Sequence, residues 1–301
     1  MNSKNIKKHL NAKLRDWLSH IDNEDVKKAI SENTIITGGS IVSLLTGDTI
    51  HDYDVYFRAK ESCITVAKYY VEKWNKDHPD KLVFLEADES TEKIRCFIRS
   101  KGIADEKEVN ISDISYNFDS TSEEDELLGI EHENQGDNDT SKEKYRPRFI
   151  TSNAITLSDK IQIVTRFYGE VKDIHKNYDF AHCTCAWSSW DNNLFLPEKA
   201  LECIINKELY YIGSLYPLCS IIRTRKYLER GYHINAGQYV KMCMQLNELD
   251  LSDVNVLEDQ LTGVDTNYFE IMIDELKKYQ KEHASDKVDM TYAMELINKL
   301  F

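Results

Sequence analysis

The chain has 301 residues, 41% hydrophobic and 30% charged, which is enough apolar material for one large domain or two smaller ones and too much for a disordered or fibrous protein. No apolar run reaches the roughly 20 residues of a membrane span. The lysine-rich start (Lys4, Lys7, Lys8, Lys13) has no signal-peptide core, and seven cysteines without framework spacing argue for reduced thiols, so the sequence reads as soluble and cytoplasmic. The net charge of -14 excludes a protein that coats nucleic acid by bulk attraction, but ten carboxylates against one lysine between Asp119 and Glu143 supply -9 of it and leave about -5, which permits a local basic groove.

In chain order, Ile6, Leu10, Leu14, Trp17, Leu18 and Ile21 recur at three- and four-residue steps and predict an amphipathic helix over 5–31, packing as an N-terminal element of residues 1–30 on the core that follows. The β-branched run Thr34 to Thr37 ends at Gly38-Gly39, and Ser40 to Leu45 resumes in helical style. Tyr53 to Phe57 alternates as a strand entered directly from Asp52. Cys63 to Trp74 has helical spacing, and Leu82 to Leu85 and Ile94 to Ile98 read as strands. The stretch 119–144 is so rich in acidic and small polar residues that it predicts a mobile loop. Three more strands are expected at Phe149 to Leu157, Ile161 to Phe167 and Tyr178 to Trp187, then a turn at Asp191-Asn192-Asn193. Helices are expected at 197–206, 215–231, 236–248, 253–260, 268–282 and 288–300. The sequence therefore reads as α+β: a mixed-sheet domain over 31–192 followed by a helical domain over 193–301.

Chemistry concentrates in the stretch from Ile35 to Phe57. Residues two apart on a strand face the same way, so Asp52 and Asp54 aim both carboxylates at one point, and such hard oxygen ligands suit Mg²⁺ or Mn²⁺. Upstream, Gly38 and Gly39 let backbone approach a bulky anion, the start of the following helix offers free N–H groups, and Ser40 adds a hydroxyl. A triphosphate held there would lie beside a metal on the two aspartates, the arrangement needed for phosphoryl or nucleotidyl transfer.

These residues resemble the nucleotidyltransferase superfamily (the DNA polymerase β-like fold), whose signature is an apolar strand, Gly-Gly or Gly-Ser, about a dozen residues, then Asp-x-Asp. The internal spacing is similar to that of CCA-adding enzymes and bacterial poly(A) polymerases, matched here by Gly38, Gly39, Gly47, Asp52 and Asp54; those enzymes carry Arg-Asp where this chain has Val42-Ser43. More loosely, the chain resembles phage-encoded nucleotidyltransferases and poly(A) polymerases, which would put it in a host cytoplasm. The resemblance implies a third acidic ligand on a later strand that also deprotonates the attacking hydroxyl. Asp179 is the first candidate because apolar residues flank it, with a turn cap or a pair with Arg166 as the other reading and Glu86 and Asp113 in reserve.

Two further clusters carry more than one reading. His175, His182, Cys183 and Cys185 invite zinc, but a strand would put His182 opposite the two thiols, which favours buried cysteines. Arg223, Arg225, Lys226, Arg230 and Lys241, interleaved with Tyr227, Tyr232 and Tyr239, form either a phosphate-gripping surface or a solvated helix face. Tyr211, Ser214 and Tyr216 could stack on or bind a base, or simply pack. The expectation is a template-independent nucleotidyltransferase that takes an NTP, ATP foremost, and moves NMP to a hydroxyl, preferably an RNA 3′ end. Gly38, Gly39, Ser40 and Tyr216 would bind nucleotide, Asp52, Asp54 and Asp179 the metal, and Arg223, Arg225 and Lys226 the acceptor. The alternatives are a toxin-like enzyme modifying a tRNA, protein or small molecule, and a non-catalytic binding module of the same fold.

Overall fold

In the computed structural model, which describes residues 1–87, 94–98, 143–151, 153–261 and 266–300, the chain is an α+β protein with a mixed sheet. The acidic stretch 119–142 and Asp113 lie outside these residues.

The single N-terminal helix expected from spacing is two, α1 (Ser3–Ser19) and α2 (Glu24–Asn33). The break comes from Asn23, whose side-chain oxygen accepts the amide protons of Asp25 and Val26 at 3.0 and 3.1 Å and so caps a new helix, with Glu24 and Asp25 favourably placed in its first turn. Then β1 (Thr34–Thr37), α3 (Gly39–Thr46), β2 (Tyr53–Phe57) and α4 (Lys60–Asp77) follow in the order the sequence predicts. β3 (Val83–Ala87) and β4 (Ile94–Ile98) make a separate antiparallel ladder.

The strand expected over 149–157 is a hairpin of β5 (Pro147–Ile150) and β6 (Ala154–Leu157), because the Thr151 hydroxyl accepts the Ala154 amide proton at 3.0 Å and tightens a turn between them. β7 (Ile161–Tyr168) matches expectation, and the short α5 (Val171–His175) follows. The strand expected over 178–187 is corrected. Ala181–Cys183 is a 3-10 turn, held by the Thr184 hydroxyl donating to the Ala181 carbonyl at 2.7 Å, and only β8 (Ala186–Ser188) is strand. At the predicted turn the Asp191 carboxylate accepts from the Asn193 amide at 3.1 Å and from the Ser188 hydroxyl, which leads into β9 (Asn193–Phe195).

Among the described residues the main sheet runs β5-β6-β7-β2-β1-β8-β9, antiparallel throughout except for the central parallel pair of β2 and β7. On one face Tyr53, Val55 and Phe57 join Ile36, Ile155 and Ile163 in a core closed by Ile6, Leu10 and Trp17 of α1, Ile30 of α2 and Val66 and Tyr70 of α4. The other face holds a small apolar cluster of Ile35, Tyr56, Ile174 and Ala186.

The chain packs as two units that meet in sequence at Ile212 and Gly213, not at 192. The reason is that β9 belongs to the main sheet and α6 (Glu198–Asn206) buries Ala200 and Ile204 in its core. The second unit contains α7 (Pro217–Glu229), α8 (Ala236–Leu246), α9 (Val254–Leu261), α10 (Thr266–His283) and α11 (Met290–Leu300), with Leu261, Met272, Ile273, Leu276 and Leu296 at its centre.

Candidate functional site at the glycine corner

The site stands on the face of the sheet opposite the large core. Since β2 sends Val55 and Phe57 to that core, Asp54 and Tyr56 must turn the other way. Register then lines up a row across the sheet: Asp54 pairs with Thr37 of β1 and with Gln162 of β7, and Thr37 pairs with Ala186 of β8. The loop entering β2 is tied down where Lys160 Nζ donates to the Ile50 carbonyl at 2.8 Å and the Tyr53 amide donates to the Lys160 carbonyl, also at 2.8 Å.

At the end of β1 the chain turns through Gly38, with φ +79° and ψ -146°, a region that essentially only glycine occupies. The second reason for glycine is space. A methyl group at this position would stand 2.7 Å from Asp54 Oδ2, so the carboxylate lies directly against the backbone that leads into α3. Beside Gly39 a methyl group would meet nothing within 4 Å, which leaves the first turn of the helix open to an approaching group. Ser40 follows, 2% exposed, and its hydroxyl has no hydrogen-bond partner. A buried hydroxyl without a partner is costly, by about 1–3 kcal/mol, and at a helix start it marks a place where an anionic ligand oxygen would restore the balance.

Asp52 is exposed and Asp54 half-buried, yet one side chain reaches both. The Gln162 carboxamide lies against both carboxylates, and its nitrogen is assigned to that side because an oxygen there would meet only acceptors; so turned, it donates to Asp54 Oδ1 at 3.1 Å and to Asp52 Oδ2 at 3.3 Å. A shared nitrogen holds the two carboxylates on one side of the sheet and no farther apart than the sum of those distances. Two carboxylates and a carboxamide are ligands that a hard divalent cation accepts. Among the described residues no three His, Cys, Asp or Glu side chains are grouped to hold an ion, so carboxylates supply two donors here.

Behind this front lies a polar layer that sequence reasoning missed. The Thr37 hydroxyl donates to the Cys185 carbonyl at 2.9 Å and lies 2.9 Å from His175 Nε2. With its hydrogen committed to Cys185, the threonine accepts from the imidazole, which fixes the neutral Nε2–H tautomer. Burial agrees, lowering the His175 pKa to about 4. The Tyr178 hydroxyl donates to Tyr56 Oη at 3.4 Å and would lie 3.6 Å from a methyl group on Gly38; burial, with Tyr56 and Asp54 alongside, raises its phenol well above the ordinary value.

A family model described as Gad2, Gabija anti-defense 2 family protein, matches residues 8–207 of this chain, a span that contains the whole arrangement. The chain belongs to the Gabija anti-defense 2 family. A curated relative, Gabija anti-defense 2 of Bacillus phage SPbetaL7, is 22% identical over 289 residues, which cover 92% of this chain and 55% of the relative, so this Gad2-family chain spans about half the relative's length. Solved structures with partial likeness include the Thermotoga maritima CCA-adding enzyme complexed with tRNA (11% identity, 88% of this chain and 54% of that one, TM-score 0.37). The Bacillus stearothermophilus CCA-adding enzyme in complex with CTP is similar to the same degree (11% identity, 86% and 51%, TM-score 0.39).

Of the residues singled out by sequence, Gly38, Gly39, Ser40, Asp52 and Asp54 fall in the first unit of this Gad2-family chain, where Asp54 touches the Gly38 corner and Asp52 shares Gln162 with it. Asp179 is not on a strand: it lies in the irregular segment before the 3-10 turn, 4% exposed, its backbone carbonyl accepting from the Ile212 amide, and among the described residues no group of three acidic, His or Cys side chains gathers it with Asp52 and Asp54. Glu86 falls in β3, outside the main sheet. The zinc cluster is divided by the same refolding: His175 turns to Thr37, while Cys183 Sγ lies 3.2 Å from His182 Nε2 and burial pushes the Cys185 thiol up to about 12. Tyr216 caps α7 in the second unit, and that helix carries Arg223, Arg225 and Lys226; Arg225 also pairs with Glu229 at 3.0 Å on the surface.

Proposed function

We propose that this chain is a divalent-metal-dependent nucleotidyltransferase that moves NMP from an NTP, ATP foremost, to a hydroxyl acceptor, an RNA 3′ end by preference. The observation that carries the reading is the contact of Asp54 with the Gly38 corner while Asp52 shares its face, since it puts a pair of metal-seeking carboxylates beside the open start of a helix. Gly38 and Gly39 would admit the β- and γ-phosphates to the first turn of α3, and the Ser40 hydroxyl would donate to a phosphate oxygen. Asp52 and Asp54 would hold Mg²⁺ or Mn²⁺, which when bound neutralises phosphate charge and favours the deprotonated acceptor hydroxyl. On this reading the basic run Arg223, Arg225 and Lys226 grips acceptor phosphates, and the surface ion pair of Arg225 is weak enough to exchange for one.

Membership of an anti-defence family favours a second acceptor, a protein or small molecule of the defence that the family name points to. Both readings meet in one experiment. Protein, Mg²⁺ and each labelled NTP are incubated with total RNA and, separately, with host lysate, alongside an Asp52→Ala/Asp54→Ala double variant. Label entering RNA and lost in the variant supports RNA extension, and label entering only protein or small molecules supports the second acceptor. Turnover of no nucleotide under any condition overturns the enzyme reading in favour of a binding module.

A further inference from the structure

Gln162 has a place in this site that neither composition nor motif assigns. It sits on β7 directly beside Asp54 in the parallel register, half-buried, and its side chain reaches both carboxylates. We infer that Gln162 is the third oxygen donor of the metal site: its carboxamide bridges Asp52 and Asp54 through nitrogen when no cation is held, and turns about its last side-chain bond to offer its carbonyl oxygen when one is. This inference rests on the nucleotidyltransferase reading and concerns how the same site is regulated.

The argument is one of charge and reach. Two carboxylates held on one face repel one another, and an amide NH₂ group offers each of them a hydrogen bond, which stabilises the pair without a cation. A divalent ion arriving between the carboxylates would meet those same N–H groups pointing at it. The carboxamide carries its remedy, because oxygen and nitrogen differ by a half-turn about a soft terminal torsion and occupy nearly the same volume. After that turn the oxygen stands where the nitrogen stood, within 3.3 Å of both carboxylates, and a shared cation has three oxygen ligands instead of two. A neutral third donor leaves the site with two negative charges, so it holds a free cation more weakly than three carboxylates would. Loading then leans on the negative charge of the nucleotide, and an empty active site stays largely metal-free.

The test reads metal binding rather than turnover. Mn²⁺ is titrated into the full chain, without nucleotide, and free ion is followed by electron paramagnetic resonance for wild type, Gln162→Glu, Gln162→Met and Asp54→Asn. A carboxylate in place of the amide is expected to tighten Mn²⁺ by about 10-fold, and Met to weaken it by about as much, with melting temperatures in EDTA reporting that each variant is folded. A second measurement uses Mg²⁺ and the ¹⁵N-labelled chain, in which the Gln162 side-chain NH₂ signal, assigned by its loss in Gln162→Met, shifts on titration as its carboxylate partners are replaced. Equal Mn²⁺ affinity in wild type, Gln162→Glu and Gln162→Met, with binding lost only in Asp54→Asn, would overturn the role of Gln162 and leave the nucleotidyltransferase reading standing. No Mn²⁺ binding by wild type in millimolar metal, either alone or with a non-hydrolysable NTP analogue added, would overturn both.

Discussion

Two adjacent glycines at the end of β1 do different work, and their substitution separates shape from access. Gly38→Ala forces a side chain into a backbone region that excludes it and drives a methyl group against Asp54 Oδ2, so a loss of about 1–3 kcal/mol in unfolding free energy is expected, measured by urea titration. Gly39→Ala meets no neighbour and begins a helix, so stability should hold or rise by up to about 1 kcal/mol; on the proposed function, KM for the nucleotide should rise because the approach to the helix start is narrowed. His175 makes a pH prediction. Its folded pKa, lowered by burial to about 4, lies below the unfolded value near 6.5, so the unfolded chain binds the proton first. Stability is intact above about pH 6.5 and falls as the pH drops from there towards 4, by about 3 kcal/mol in all. Unfolding free energies of wild type and His175→Phe between pH 7.5 and 5 should diverge in slope, the variant being flatter.

Elements show where a sequence is legible and where it is not. Thr34 to Thr37, Tyr53 to Phe57 and Ile161 to Phe167 were readable because each alternates or is β-branched and each occupies an interior place in the sheet, so local preference and burial agree. The run from Asp179 to Ser188 is buried almost throughout, and continuous burial carries no period from which to tell strand from irregular chain; the local bond from Thr184 to Ala181 decided it. For the same reason the apolar neighbours of Asp179 could not show that it stands off the strand expected there. Gln162 left a signal that alternation alone could have exposed, a polar residue between Ile161 and Ile163 at the end of an interior strand, but its partners come from β2, far away in sequence. The element that presents this strand order to α1 and α4 is tested by Tyr70→Phe. Trp17 Nε1 donates to Tyr70 Oη at 2.6 Å inside the core, and losing that acceptor strands a buried N–H. A cost of about 1–3 kcal/mol is expected, seen as a lower urea midpoint at unchanged slope.

For the whole molecule, the boundary at Ile212 and Gly213 predicts which fragments fold. A chain ending at 212 keeps β9 at the sheet edge and α6 with Ala200 and Ile204 in the core, whereas one ending at 192 loses both and exposes the edge of β8. The longer fragment should melt cooperatively by circular dichroism and calorimetry, and the shorter should aggregate or melt without a sharp transition; cooperative melting of the 1–192 fragment would contradict the boundary.

The parallel pairing of β2 with β7 fixes the timing of biosynthesis. Ribosomes emit the aspartates early and their neighbouring strand only after more than a hundred further residues, so a nascent chain carries an unfinished pocket for much of its translation. On the proposed reading, truncated or stalled products would consume no nucleotide, and catalytic competence would switch on only once the ladder has zipped across its middle.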